Sequence, residues 1–341
     1  MKYPENREDW MKIKTLDMHT AGEPLRIILE GYPRLSGMTV LEKRETARSE
    51  HDHLRKALMW EPRGHADMYG AICTEPVTSD GHLSVIFLHN SGYSTMCGHG
   101  IIALTTAALE TGLVEIAGDR PVLRIDSPAG RVTAVAQREK GGIKSVSFQN
   151  VPSFVLCLDE KIDVDGIGTV GYDIAFGGAF YVFCRAEDFG FRLVPEEFQA
   201  LIQMGRKIKQ AVETNPVISH PFEPDLSFLY GTIFVGQAHD PNHHSRNVCI
   251  FAEGELDRSP TGTGVSARAA LHYARNEIAL FEPFVVESIL GTCFAGKVIR
   301  QTTFGPHEAV IPEVSGTAYM TGRHEFIIDP EDPLSDGFIF R

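Results

Sequence analysis

Short apolar runs, most of them rich in β-branched and aromatic residues, dominate the hydrophobic pattern of the chain and predict strands. Gly, Pro and Asp separate these runs, of which clear examples are RIDSPAGRVTAVAQ, IKSVSFQNVPSFVLCL, GGAFYVFCRA, GTIFVG and EAVIPEVSGTAYMTG. Few segments favour a helix, and they are residues 46–60, 100–110, 195–213 and 264–276. Many strands with few helices predict an α+β protein.

The chain also repeats itself. SVIFLHNSGYSTMCGHGIIALTTAALETG resembles NVCIFAEGELDRSPTGTGVSARAALHYARNE when Cys97 is placed on Thr261, an offset of 164 residues. In both segments an apolar run is followed by a turn, a Gly-x-Gly element and an alanine-rich run. AGRV at 129–132 and AGKV at 295–298 match at an offset of 166, which one short insertion would explain. The repeat predicts two related domains, each a curled sheet around one helix.

The domain boundary follows from the repeat alone, because no linker or low-complexity segment separates the two halves. We expect a first domain at residues 1–165, with Cys97, and a second at residues 166–324, with Thr261. The C-terminal residues, from about 325 to 341, are expected to return to the first domain. A chain of 341 residues is long enough for each domain to bury its own core.

Composition and charge narrow the classes of partner. The chain has 32 Lys and Arg against 45 Asp and Glu, a formal charge of −13, and no block of basic residues. A nucleic-acid partner is therefore not expected. No segment is long and apolar enough for a membrane span or a signal peptide, so we expect a cytoplasmic protein with no membrane partner. The oligomeric state stays open, with a homodimer among the alternatives.

The six cysteines stand at isolated positions with no C-x-x-C spacing, which argues against a disulfide framework and a zinc site. Cys97 is the one with Ser, Thr, Gly and His as neighbours. The others have apolar neighbours and are interpreted as small buried residues: Cys73, Cys157, Cys184, Cys249 and Cys293. The loop HDPNHHSRN at 239–247 contains three histidines, but no helical spacing supports a metal site there.

Both Gly-x-Gly elements lie where a helix is predicted to begin. A helix start presents unpaired N–H groups and a partial positive charge, and glycine lets a ligand approach closely. Two such starts facing each other would bind a carboxylate, and the dipole is expected to lower the pKa of the Cys97 thiol. This arrangement suits an enzyme that holds an amino acid while a thiolate removes its α-proton. Cys97 also fits a plain helix cap, His99 a surface histidine and Asp257 a turn residue.

Six blocks of the chain resemble the proline racemase family, which includes hydroxyproline 2-epimerases and trans-3-hydroxy-L-proline dehydratases. They are DMHTAGEP (17–24), EPRGHADMYGA (61–71), MCGHG (96–100), GGAFY (177–181), SRN (245–247) and DRSPTGTG (257–264). The resemblance implies a diaminopimelate-epimerase-like fold of two pseudo-symmetric domains with the active site in the cleft between them. It implies a small amino-acid substrate, no cofactor and no metal.

The resemblance also implies roles for individual residues. Gly98 and His99 would bind the substrate beside the catalytic pair, Cys97 and Thr261. Asp257 would bind the ring nitrogen of the substrate. Gly262 and Thr263 would complete the site for its carboxylate.

Thr261 departs from the racemases and epimerases of the family, which carry cysteine at both turns. A threonine hydroxyl is too weak an acid to replace a thiol in proton exchange, so the Cys/Thr pair resembles the dehydratase branch. In trans-3-hydroxy-L-proline the hydroxyl and the α-hydrogen lie on the same face, within reach of one base. We therefore expect a hydro-lyase that forms Δ1-pyrroline-2-carboxylate. Cys97 is expected to be the base, and Cys97 or His99 the acid for the leaving hydroxide.

Two other functions are compatible with the sequence. The first is a proline or hydroxyproline racemase or 2-epimerase that tolerates threonine, which would incorporate solvent deuterium with inversion. The second is a non-catalytic protein that binds proline analogues. An activated thiol at Cys97 argues against the second, because a binding protein has no need of one.

Overall fold

The protein is described by a computed structural model over residues 10–214 and 218–340. The strands in these ranges are β1 (Met11–Thr20), β2 (Glu23–Glu30), β3 (Tyr69–Thr74), β4 (Leu83–His89), β5 (Gly92–Ser94), β6 (Val122–Ser127), β7 (Gly130–Glu139), β8 (Gly142–Gln149), β9 (Ser153–Val164), β10 (Gly168–Phe176), β11 (Phe180–Arg185), β12 (Leu229–Gly236), β13 (Ser245–Phe251), β14 (Glu255–Leu256), β15 (Phe284–Glu287), β16 (Cys293–Phe304), β17 (His307–Gly316) and β18 (Ala318–Ile328). The α-helices are α1 (Val40–Glu50), α2 (Asp52–Met59), α3 (Gly98–Glu110), α4 (Phe198–Glu213) and α5 (Gly262–Ala274).

The pattern of strand pairing occurs twice. In the first half β1–β2 is antiparallel, β2–β3 parallel, β3–β4 antiparallel, β4–β6 parallel, and β6–β7 and β7–β8 antiparallel. The strands from β10 to β17 repeat this order of pairings. The outer strands also correspond, because β18 pairs with β1 as β9 pairs with β10. The fold is therefore α+β with two pseudo-symmetric halves, which confirms the prediction from the repeat.

Each half curls its sheet around one central helix. α3 packs against β1, β2, β7, β8 and β18, and α5 packs against β9, β10, β16 and β17. Both helices are buried over most of their length, which suits their content of Ala, Ile, Leu and Val. The two sheets are joined where β8 pairs antiparallel with β17.

Four helical segments were predicted, and the structure has helices in all of them, with different ends. α3 and α5 begin two residues earlier than predicted, because Cys97 and Thr261 are their N-cap residues. The segment 46–60 contributes to two helices, α1 and α2. α1 begins at Val40 because Thr39 and Glu42 form a capping box. α4 begins at Phe198, after a short 3₁₀ turn at 195–197.

The apolar core differs from the expected one core per domain. Its largest cluster contains side chains of α3 and α5 together with strands of both halves, so it is continuous across the molecule. A second cluster lies around α4 and includes Phe154, Phe176 and Phe234. A third lies under α1 and α2 and includes Leu54 and Leu58. Within the described residues no helix is long and apolar enough to cross a bilayer.

The cysteines are all free thiols. Cys184 and Cys249 are buried, as predicted, whereas Cys73, Cys157 and Cys293 are partly exposed. The prediction was wrong for these three because Cys73 and Cys293 lie at or next to a strand end, and Cys157 lies where β9 passes from its buried start to its exposed middle.

Candidate active site

The starts of α3 and α5 meet at the centre of the molecule. A Cβ atom added to Gly98 would lie 2.6 Å from the Cα of Gly262, and one added to Gly262 would lie 2.7 Å from the Cα of Gly98. Only glycine allows this approach of one main chain to the other. The first N–H groups of both helices, and the partial positive charge of both dipoles, therefore converge on one region.

A small cavity, about 20 Å³ in volume, lies at this junction. All the residues expected at the site line it: Cys97, Gly98, His99, Asp257, Thr261, Gly262 and Thr263. Its other lining residues were not predicted: Tyr69, Met96, Tyr181, Tyr230, Cys249 and Phe251. Most of these come from strands whose sequence is typical of ordinary core. Only the blocks EPRGHADMYGA, MCGHG and GGAFY offered a signal, since they contain Tyr69, Met96 and Tyr181.

Cys97 caps α3 and contacts His99. Its Sγ accepts the N–H of Gly100 at 3.2 Å and lies 3.1 Å from Nδ1 of His99. Nε2 of His99 lies 3.3 Å from the carbonyl oxygen of Pro24, which can only accept, so Nε2 carries the ring proton. Nδ1 then has a free lone pair facing the thiol. The geometry pairs a thiol with an imidazole base.

Burial favours the neutral form of both members of this pair. Burial raises the pKa of Cys97 well above its usual value, against the opposing effect of the Gly100 N–H. Burial also lowers the pKa of His99. The expectation of a lowered thiol pKa is therefore wrong for the resting site, because loss of hydration outweighs the helix start. A thiolate would form here by proton transfer from Cys97 to Nδ1 of His99.

The start of α5 has a different construction. Thr261 has φ +65°, which is uncommon for a β-branched residue, and its side chain makes no capping hydrogen bond to α5. Instead its Oγ1 donates to Oδ2 of Asp257 at 2.8 Å, and Oδ1 of Asp257 accepts the N–H of Ser259 at 2.7 Å. The Thr261 hydroxyl proton is thus engaged by a carboxylate, and the thiol of Cys249 also hydrogen-bonds to Thr261.

The loop carrying Asp257 is tied to the first half by Arg258. The main-chain N–H of Arg258 donates to Oε2 of Glu23 at 2.7 Å, and its guanidinium pairs with Asp67 at 2.9 Å. Glu23 is fully buried, and burial together with the nearby Asp257 raises its pKa well above the usual value. These contacts tie the residue next to Asp257 to Glu23 and Asp67 of the first half.

The histidine-rich loop is organised around Glu287 on β15. Burial alone would raise the pKa of Glu287, but hydrogen bonds from the main chain of His239 and Asp240 and from His243 and Arg246 lower it to about 2. Over residues 10–214 and 218–340, no group of three His, Cys, Asp or Glu side chains is placed to hold a metal ion.

Comparison with known proteins places the chain in a family. The model of the family described as proline racemase matches residues 15–339. This chain belongs to the proline racemase family. A trans-3-hydroxy-L-proline dehydratase of Colwellia psychrerythraea is 51% identical over 335 residues, which are 98% of this chain and 94% of the relative. A 3-hydroxyproline 2-epimerase of Burkholderia multivorans is 43% identical over 329 residues, 96% of this chain and 98% of the relative.

A solved structure has the same fold over almost the whole chain. It is a hydroxyproline epimerase from Agrobacterium vitis with bound trans-4-hydroxy-L-proline, 30% identical, with a TM-score of 0.93. The match covers 98% of this chain and 96% of the epimerase. Because relatives carry names of both a dehydratase and an epimerase, the choice between dehydration and inversion depends on the residues of this site.

Proposed function

We propose that this protein is a trans-3-hydroxy-L-proline dehydratase, a hydro-lyase that acts without a cofactor. One observation carries the proposal: a thiol–imidazole pair lies at one helix start, and at the other stands a threonine whose hydroxyl already donates to Asp257. Such a site has a thiol and a base on one face of the α-carbon, and on the other a hydroxyl too weakly acidic to exchange a proton. The 51% identity to a relative named trans-3-hydroxy-L-proline dehydratase supports the same conclusion.

The substrate is a zwitterion, and each of its charges has a partner in the site. Its carboxylate is proposed to accept hydrogen bonds from the helix starts, at Gly98, His99, Gly262 and Thr263. Its ring ammonium is proposed to pair with Asp257.

The reaction begins with proton transfer from Cys97 to Nδ1 of His99. The thiolate then takes the α-proton, and the electron pair released at C2 forms a C2=C3 bond as the C3–O bond breaks. The hydroxide leaves as water after taking a proton from Cys97 or from the imidazolium of His99. The enamine that remains tautomerises to Δ1-pyrroline-2-carboxylate. The net change is the loss of one water molecule.

Product analysis with three substrates tests the proposal. The protein is incubated with trans-3-hydroxy-L-proline, trans-4-hydroxy-L-proline and L-proline, and water loss and C2 inversion are scored separately by NMR. We expect water loss from the 3-hydroxy compound and little or no inversion of any of the three. Inversion without water loss would replace the proposal with the epimerase function that one relative's name carries.

A binding protein without catalysis is the alternative of another class. It would leave all three compounds unchanged, and alkylation of Cys97 would then abolish no activity.

We also propose a cytoplasmic location. Six free thiols are compatible with a reducing compartment and support it.

A further inference from the structure

The GGAFY segment (177–181) forms the turn from β10 to β11 and lies against the start of α5. A Cβ atom on Gly177 would stand 2.2 Å from the carbonyl oxygen of Thr263, and one on Gly178 would stand 3.0 Å from the Cβ of Met96. Gly178 also has φ +102°, which glycine adopts without strain. The two glycines therefore let the turn touch both α5 and the segment before Cys97.

Two buried side chains fix this turn in place. Nδ2 of Asn150 donates to the carbonyl oxygen of Gly177 at 2.7 Å, and Oγ1 of Thr95 donates to that of Gly178 at 2.7 Å. The turn is thus held by one residue next to β8 and one next to α3. The strand that leaves it, β11, begins with its side chains at fixed positions relative to the cavity.

Tyr181 is the second residue of β11, and it reaches the cavity. Its side chain is 1% exposed, and its hydroxyl oxygen lies 2.6 Å from Oγ1 of Thr263. Over residues 10–214 and 218–340, that is its one side-chain hydrogen bond. Burial raises the pKa of Tyr181 well above its usual value, so the hydroxyl keeps its proton at any pH at which the protein works.

The direction of this hydrogen bond decides what Thr263 can do. Each hydroxyl has one proton. If Thr263 donates to Tyr181, the Thr263 proton is not available to a ligand. If Tyr181 donates to Thr263, the Thr263 proton can turn to an anion held at the helix starts. A carboxylate in the cavity selects the second arrangement, because each donor then strengthens the next.

We propose that Tyr181 is a positioning residue, which donates to Oγ1 of Thr263 and so directs the Thr263 hydroxyl proton to the substrate carboxylate. The proposal rests on the proposed function. When the α-proton leaves, negative charge grows on the carboxylate oxygens, so this chain of donors stabilises the transition state more than the bound substrate. Tyr181 itself transfers no proton.

The variant Tyr181→Phe removes only the hydroxyl. We expect kcat/KM for trans-3-hydroxy-L-proline to fall about tenfold, the loss typical of one buried hydrogen bond between neutral groups. Tyr93→Phe is the matched control, since Tyr93 is also buried and its hydroxyl donates to the carbonyl oxygen of Ala47 in the separate core under α1 and α2. That control should lower Tm and leave kcat/KM within about twofold of wild type. A Tyr181→Phe protein as active as the control would overturn the proposal.

A double-mutant cycle tests whether Tyr181 acts through Thr263. In a Thr263→Val background Tyr181→Phe should cause no further loss, whereas in a Thr263→Ser background, which keeps the hydroxyl, its effect should remain. Equal losses in the wild-type and Thr263→Val backgrounds would contradict the proposal. If Tyr181→Phe does not fold, a Thr263→Val protein as active as wild type would still overturn the proposal, because Tyr181 is proposed to act only through the Thr263 hydroxyl.

Failure of this inference can be distinguished from failure of the proposed function. If Tyr181→Phe dehydrates the substrate as fast as the wild-type protein, only the role of Tyr181 is contradicted. A wild-type protein that dehydrates nothing contradicts the function. In that case calorimetric binding of trans-4-hydroxy-L-proline to the same variants still tests the role of Tyr181, because that ligand has the same carboxylate.

Discussion

Cys97 and Thr261 occupy equivalent positions before the two central helices, yet the side chain of Cys97 accepts a hydrogen bond where that of Thr261 donates one. The sulfur of Cys97 accepts the N–H of Gly100 and faces a free lone pair on His99. The hydroxyl of Thr261 donates to Asp257. Cys97 can therefore become a base by a proton transfer within hydrogen-bond distance, whereas the Thr261 hydroxyl is too weak an acid to become one.

Replacing Cys97 by serine should remove nearly all turnover and leave Tm close to that of wild type. A serine hydroxyl has a pKa far above that of a thiol, so His99 cannot deprotonate it to a useful extent. The measurement is the rate of Δ1-pyrroline-2-carboxylate formation. Cys184→Ser is the control, since Cys184 is equally buried but lies in the cluster around α4. A Cys97→Ser protein that keeps more than a few per cent of the wild-type rate would show that another group is the base.

Replacing Asp257 by alanine should act mainly on binding. The ring ammonium would lose a charge-assisted hydrogen bond worth roughly 1.5–3 kcal/mol, which raises KM by about ten- to a hundredfold. The hydroxyl of Thr261 would lose its acceptor as well. Steady-state kinetics with trans-3-hydroxy-L-proline measure the change, and an unchanged KM would remove Asp257 from the substrate's contacts.

Much of the site could be predicted at the level of single residues because the chain repeats a Gly-x-Gly element. Glycine before a predicted helix has a direct physical meaning, namely close approach and free N–H groups. Tyr69, Tyr181, Tyr230 and Cys249 could not be found this way. Their side chains come from strands distant in sequence, and a tyrosine or cysteine within an apolar run looks the same whether it faces a cavity or a core.

At the scale of elements, the prediction of one helix per curled sheet was correct. The pairing of the outermost strand of each half was predicted only in part, since only the C-terminal residues were expected to return to the first half. β9 pairs with β10 and packs against α5, while β18 returns to β1 and packs against α3. We propose that the border of the halves lies between β8 and β9, with β18 in the first half, rather than at residue 165. The repeat could not place this border, since the two halves use flanking strands from opposite ends of the sequence.

The start of α5 is the element that should decide between dehydration and inversion. In Thr261→Cys a thiol replaces the hydroxyl that faces the cavity and Asp257. With trans-4-hydroxy-L-proline, which has no 3-hydroxyl to expel, the carbanion could then be reprotonated from the second face. We expect C2 epimerisation in this variant, and none or far less in the parent, while dehydration of the 3-hydroxy substrate continues.

Thr261→Ser is the control for this change, because it keeps a hydroxyl and should gain no epimerase activity. Chiral chromatography of recovered substrate measures inversion in both variants. A Thr261→Cys protein that dehydrates normally but inverts no proline would mean that the start of α5 does not face the substrate.

The loop before β13 should depend on the charge of Glu287. Its pKa of about 2 in the folded protein, against the usual 4.5, corresponds to about 3 kcal/mol of stability. Because the folded pKa is the lower one, this stability is present above about pH 4.5 and is lost as the pH falls towards 2. Urea unfolding should therefore show Glu287→Gln to be less stable than wild type near neutral pH, by an amount that shrinks below about pH 4.5. A difference that stays constant down to about pH 3 would contradict this account.

At the scale of the whole molecule, two sheets enclose two helices whose starts touch, and one continuous apolar cluster surrounds both helices. This arrangement buries Cys97 and both helix starts, and burial is the main cause that raises the pKa of Cys97. The sequence predicted the two helix starts but not the resting charge of the thiol. Charge depends on hydration, and hydration depends on how closely the two halves meet.

The central claim is that proton removal takes place on one face of the α-carbon. It is tested most directly by letting wild-type protein convert about half of a sample of trans-3-hydroxy-L-proline in D₂O, and analysing both product and recovered substrate. The account predicts Δ1-pyrroline-2-carboxylate as product, and recovered substrate of unchanged configuration at C2, whether or not its α-hydrogen has exchanged. Recovered C2 epimer carrying deuterium would contradict it, because a proton would then have been delivered from the face where Thr261 stands.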